Sequence, residues 1–187
     1  GFLKSVTSDS TVDDAKLARV FEGMAPASRT NVLKNLASGP DNDAREVFKR
    51  LGDAVYDSKQ DPTRNRLEQT LDSMPAAQRN ELLKKVISDP AGNQRTDQQV
   101  NRGQRLAAEY LERKGPEGVK SILDSIAPDP IATMPKINPY DPNSFKAVQD
   151  HIAKVSTDPA QRTRAQFKEF ILQNVQSEEM QRALNKP

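Results

Sequence analysis

Apolar side chains recur along this chain at the three- and four-residue spacing of a helix, and the first stretch of that pattern returns fifty residues later. Leu17, Phe21 and Met24 are answered by Leu67, Leu71 and Met74. Arg29, Leu33, Lys34, Leu36, Ser38 and Pro40 are answered by Arg79, Leu83, Lys84, Val86, Ser88 and Pro90. A short amphipathic helix is marginal alone. Pairs of them that stack can bury their stripes against one another in a continuous core. The expected fold is therefore all-α: a compact multi-helix bundle or short superhelical stack of about nine to ten helices with an internal duplication.

The punctuation supports helices throughout. Thr11 with Asp14 resembles a capping box, and Pro26 suits a first turn because its missing N–H would be unpaired there anyway. Gly39-Pro40 stops the second helix, and Asp41 and Asp43 open a third carrying Ala44, Val47, Phe48, Leu51 and Val55. The corner Met24-Ala25-Pro26 returns as Met74-Pro75. Leu123-Asp124-Ser125-Ile126 echoes Leu71-Asp72-Ser73-Met74 after a longer helix that carries Leu106, Tyr110 and Leu111 and is ended by Gly115-Pro116. The expected organisation is 1–126 as duplicated three-helix units, 127–144 as a proline-rich connector, and 145–187 as C-terminal helices on the same core. Phe145, Val148, Ile152 and Val155 mark the first of those helices.

Composition removes several kinds of chemistry. With no cysteine there is no disulfide, thiolate metal site or thiol nucleophile. Lys and Arg number 28 against 26 acidic residues, a net charge of +2 on an intermixed surface, so no nucleic-acid role is expected. No apolar run reaches the length of a membrane span, and a soluble protein without membrane attachment is expected. No Gly-rich phosphate loop or Gly-x-Ser-x-Gly elbow is present, and no cofactor is expected. Asp57, Asp61 and Glu68 have an EF-hand-like spacing, but Lys59 and Pro62 stand where such a loop needs an oxygen ligand and a glycine, so no metal site is expected. His151 is the only histidine; a catalytic role would need a partner brought to it by the fold. The clusters Lys84-Lys85, Arg102/Arg105 and Arg113-Lys114 read as solvated faces and helix C-terminal charges. Arg29 and Arg79 read as salt-bridging or capping groups.

The connector is the functional candidate. Ile131, Met134, Pro135, Ile137 and Tyr140 would dock on a protein partner from a stiff, extended segment that loses little entropy and keeps its carbonyls free. The competing expectation is that the same side chains pin a crossover loop onto the bundle.

The run Leu71-x-x-Met-Pro-x-x-x-Arg-x-x-Leu-Leu83 resembles the helix–proline–helix corners of the flagellar motor switch protein and of magnesium-transporter regulatory domains. More broadly, the Ala/Asp/Gln/Arg-rich helices without Cys or Trp are similar to helical domains of type III secreted effectors of plant-pathogenic bacteria. That resemblance implies a virulence protein delivered into the host cell cytoplasm that grips host proteins, with the chain, which starts at Gly1, as one module of a larger protein. Some such effectors carry helical ubiquitin-ligase domains. Here one would have to bring a ubiquitin-conjugating enzyme to its target without a thiol of its own. The expectation is a non-catalytic interaction module, with a cysteine-independent E3 ubiquitin-protein ligase domain and an architectural virion or secretion-apparatus domain as alternatives.

Overall fold

The computed structural model describes residues 12–58, 60–88, 100–175 and 177–185. Among them the protein is all-helical, with no strand. The helices are α1 (Asp14–Gly23), α2 (Pro26–Ser38), α3 (Asp41–Val55), α4 (Pro62–Ser73), α5 (Ala76–Ile87), α6 (Arg102–Ile126), α7 (Pro142–Thr157), α8 (Pro159–Asn174) and α9 (Glu178–Asn185). The chain forms two compact units, with the boundary between Arg113 and Lys114. That boundary falls beside Gly115, whose φ of 75° and ψ of 176° interrupt α6. An L side chain rarely adopts that backbone, so glycine sets the break. The helical residues expected to stop at Gly115-Pro116 resume beyond it to Ile126.

In the first unit α1 packs on α3 and α4, α2 on α4 and α5, and α3 on α5. The anticipated apolar stripes are the ones buried: Leu17 and Phe21, Leu33 and Leu36, Val47, Phe48 and Leu51, Leu67 and Leu71, Leu82 and Leu83. α3 and α6 cross backbone to backbone. A Cβ on Gly52 would stand 2.5 Å from the Arg102 carbonyl carbon, and one on Gly103 would stand 2.5 Å from the Lys49 nitrogen. Only residues without a side chain permit that approach.

Helix ends follow local chemistry. Asp13, Asp61, Asp141 and Asp158 sit at N-caps and accept from Lys16, Thr63, Asn143 and Ala160. The N-cap of α1 is thus Asp13; Thr11 lies outside the described residues. Pro26, Pro62, Pro142 and Pro159 occupy first turns. The corners at Met24 and Met74 share one geometry, with φ/ψ of −68°/153° and −74°/149° and the Met N–H bonded to Phe21 and Leu71 carbonyls respectively. Fifty residues after α3 lie 91–105, of which 91–99 fall outside the described residues and the rest open α6.

C-termini are closed by side chains from other elements, which satisfies carbonyls that a helix end leaves without partners. Arg29 donates to the Glu22 and Met24 carbonyls, and Lys85 Nζ to Gly39 at 2.6 Å. Arg45 reaches the Lys85 and Ser88 carbonyls at 3.0 and 2.7 Å. Arg64 reaches Ser58 and Val55 at 3.0 and 2.9 Å while pairing with Glu109. Positive charge at a helix C-terminus also complements the macrodipole. Arg79, at the repeat position of Arg29, does not cap: its Nε lies 3.4 Å from Asn80 Oδ1, and its guanidinium also acts on Tyr110.

Candidate interaction surface

Three titratable groups of the first unit sit in perturbed surroundings. Asp61 holds Thr63 N–H at 2.8 Å and receives Arg19 at 2.5 Å. Burial alone would raise its pKa, but the Thr63 and Arg19 hydrogen bonds outweigh it and hold the carboxyl below its ordinary value. Glu68 pairs with Arg113. Its pKa is nevertheless raised, because burial dominates the attraction of Arg113 and the neighbouring Glu109 and Asp72 push the same way. These two carboxylates, candidates for a calcium loop by spacing alone, sit in separate ion pairs. Among the described residues no group of three or more His, Cys, Asp or Glu could hold a metal. The Tyr110 hydroxyl donates to Asp72 at 2.8 Å, and burial followed by that bond drives its pKa up. Its ring is buried among the core side chains of the first unit. The Asp61 pair fastens α1 to α4, and the Glu68 and Tyr110 pairs fasten α4 to α6.

His151 does receive a hydroxyl from the fold: Thr133 Oγ1 lies 3.4 Å from its Nε2. The same nitrogen lies 2.9 Å from the Pro130 carbonyl oxygen. A carbonyl only accepts, so Nε2 carries the proton and cannot take one from Thr133. Thr133 Oγ1 instead lies 3.1 Å from the Asp129 carbonyl. His151 is a latch on the connector, and the geometry of a nucleophile–base pair is not met. A shallow cavity between α6 and α9 is lined by Glu117, Lys120, Glu178, Glu179 and Arg182. All five are exposed and of mixed sign, so nothing there converges on a ligand.

The apolar surface is different. Seven large hydrophobic side chains are exposed among the described residues, and five of them lie between 131 and 152: Ile131 and Ile137 at 54%, Tyr140 at 95%, Phe145 at 47% and Ile152 at 53%. The other two are Val20 and Tyr56, and the Tyr56 ring is covered by the Arg102 guanidinium 3.5 Å from its centroid. Met134 and Pro135 are half-buried. The connector candidates are therefore brought to one strip, but Ile131, Ile137 and Tyr140 do not pin it. Hydrogen bonds do. Pro130 is held by His151, and the Asn138 N–H donates to Ser144 Oγ at 2.9 Å. Because Ser144 and His151 are two helical turns apart on α7, about 10 Å along its axis, the strip runs antiparallel beside that helix. Ile131 stands near the level of Ile152, and Ile137 and Tyr140 near that of Phe145.

The spacing of Phe145 and Ile152 marks them as part of the apolar stripe of a helix. Nothing in the periodicity of α7 distinguishes it from a helix whose stripe is covered, so the sequence carried no signal for their exposure. Among the described residues no helix is long and apolar enough to cross a membrane. No protein-family model, curated protein or solved structure matches this chain.

Proposed function

We propose that this chain is a non-catalytic protein-interaction module and that its partner docks on the strip and helix spanning residues 130–152. One observation carries this reading: five of the seven exposed large hydrophobic side chains of the described residues fall in that span. Single exposed apolar residues are ordinary, but a cluster offered on two hydrogen-bonded elements is the signature of a contact surface. Docking on it buries side chains that are already held in place, which limits the entropy lost. The compositional likeness to helical domains of type III effectors supports a bacterial effector whose partner is a host protein. Since the chain has no cysteine, a ubiquitin-ligase activity would run by holding a conjugating enzyme near its target, and this surface is where that enzyme would sit.

The test replaces Ile131, Met134, Ile137 and Tyr140 together by Ser. Helicity and melting temperature stay within error of the parent chain, while capture of the partner from host-cell extract is lost. A collapse of melting instead would make these residues core and remove the proposal. Ubiquitin chains formed with activating enzyme, a conjugating enzyme and ATP would assign the partner class; no chains with any conjugating enzyme would eliminate the ligase form. Concentration-dependent sedimentation without a foreign partner would favour an architectural role.

A further inference from the structure

From Pro128 to Ala160 the chain contains no buried residue. Burial resumes on both sides. Val119, Ile122, Leu123 and Ala127 precede the stretch, and Gln161, Arg164, Phe167 and Ile171 follow it. The two ends are fastened to each other. Gln161 Nε2 donates to the Pro128 carbonyl at 2.7 Å, and Arg164 Nε to the Ala127 carbonyl at 3.1 Å. Arg164 also pairs with Asp124 at 2.9 Å. Both side chains of this clasp are over nine-tenths buried. Within the stretch, strip and helix are tied to each other by the His151 and Ser144 bonds. The chain thus leaves the second unit through a closed neck, folds on itself as strip plus α7, and returns, in the manner of an enlarged Ω-loop.

Local opening is governed by the buried surface and hydrogen bonds that the opening breaks. Here the apolar core of the second unit lies wholly outside the neck, and the clasp keeps that core closed when the lobe lets go. We infer that residues 129–158 are a cooperative lobe that opens and recloses as one body while α8 and the end of α6 stay folded, with Gln161 and Arg164 as the clasp that separates the two. The inference stands on burial and bonding and holds whether or not a partner docks on the lobe. If one does, the lobe can be remodelled on contact without loss of the unit's core.

Native-state hydrogen exchange of the whole chain tests this. The amides of α7 and of Thr133, Met134 and Asn138 exchange together, at least about a hundredfold faster than those of Phe167–Gln173 in α8. In Gln161→Ala, lobe exchange stays as in the parent chain, because that bond survives lobe opening, while the α8 rates rise about tenfold, as expected for one hydrogen bond lost from the clasp. Equal protection of α7 and α8 in the parent chain would overturn the inference without any variant, and so would a Gln161→Ala effect spread evenly over both. Neither result bears on the Ser replacement above, so the two ideas fail separately.

Discussion

α3 and α7 are nearly the same length and look alike in sequence, yet one buries six residues in the core of the first unit and the other buries nothing. α3 places Ala44, Val47, Phe48, Leu51, Gly52 and Val55 in the core. α7 carries Phe145, Val148, Ile152 and Val155 at the same helical spacing, and not one is buried. α3 is covered by α1, α5 and the backbone of α6, the last made possible by Gly52 and Gly103. α7 has α8 on one side and a strip of chain held by polar bonds on another. An amphipathic stripe states which face seeks cover; neighbours decide whether it finds any.

The sharpest way to break this comparison is to truncate the same side chain in both helices. Phe48→Ala should cost about 3–5 kcal/mol in urea unfolding, the cost of a cavity in a packed core. Phe145→Ala should cost no more than about 1 kcal/mol, as for a surface position. Equal losses would mean α7 is covered after all. Next in size is Gly103→Ala, where the new Cβ meets Lys49 backbone that cannot yield; about 2–3 kcal/mol is expected from overpacking. Gly115→Ala meets no atom within 4 Å, so it should cost only the about 1–3 kcal/mol of a positive-φ extended backbone that glycine alone adopts readily, read from the same denaturation curves. Tyr110→Phe removes the hydroxyl's hydrogen bonds with Asp72 and Arg79 and should cost about 1–2 kcal/mol.

The smallest effects are pH-dependent and of opposite sign, both within the first unit. Asp61 is lowered from 3.8, so its contribution is present above that value and is lost as pH falls through the folded pKa. Asp61→Asn should therefore flatten the loss of stability on acidification below about pH 4. Glu68 is raised from 4.5, so its contribution is present below that value and is lost as pH rises through the folded pKa. The parent chain should lose ground to Glu68→Gln as pH climbs past that range. Unfolding midpoints across a pH series check both, and parallel curves for parent and variant would refute either.

Most of the fold was legible because its signals are local. Proline at a first turn, aspartate at an N-cap and an apolar stripe all act within one or two helical turns. The Met24 and Met74 corners repeat because each Met ends a helix and a proline within two residues opens the next. The candidate surface was half legible. Five prolines between 127 and 144 announced a segment that could not be helical, but whether Ile131 and Tyr140 faced core or solvent depended on Ser144, His151, Gln161 and Arg164. Those residues reach the connector from positions up to 37 apart in sequence, and a short sequence window holds no information about such pairs.

By itself the sequence determined an all-helical chain, the placing of its helices and their corners, and the absence of any thiol chemistry, since each follows from residue type and near-neighbour geometry. Tertiary structure decided the rest. It made Arg29, Arg45, Arg64 and Arg164 caps of helices whose open carbonyls need donors, set Gly52 against Gly103, fixed the His151 proton on the nitrogen facing Pro130, and left α7 uncovered. The physical reason is the same in each case: burial and hydrogen bonding join groups far apart along the chain, and only folding brings them within reach.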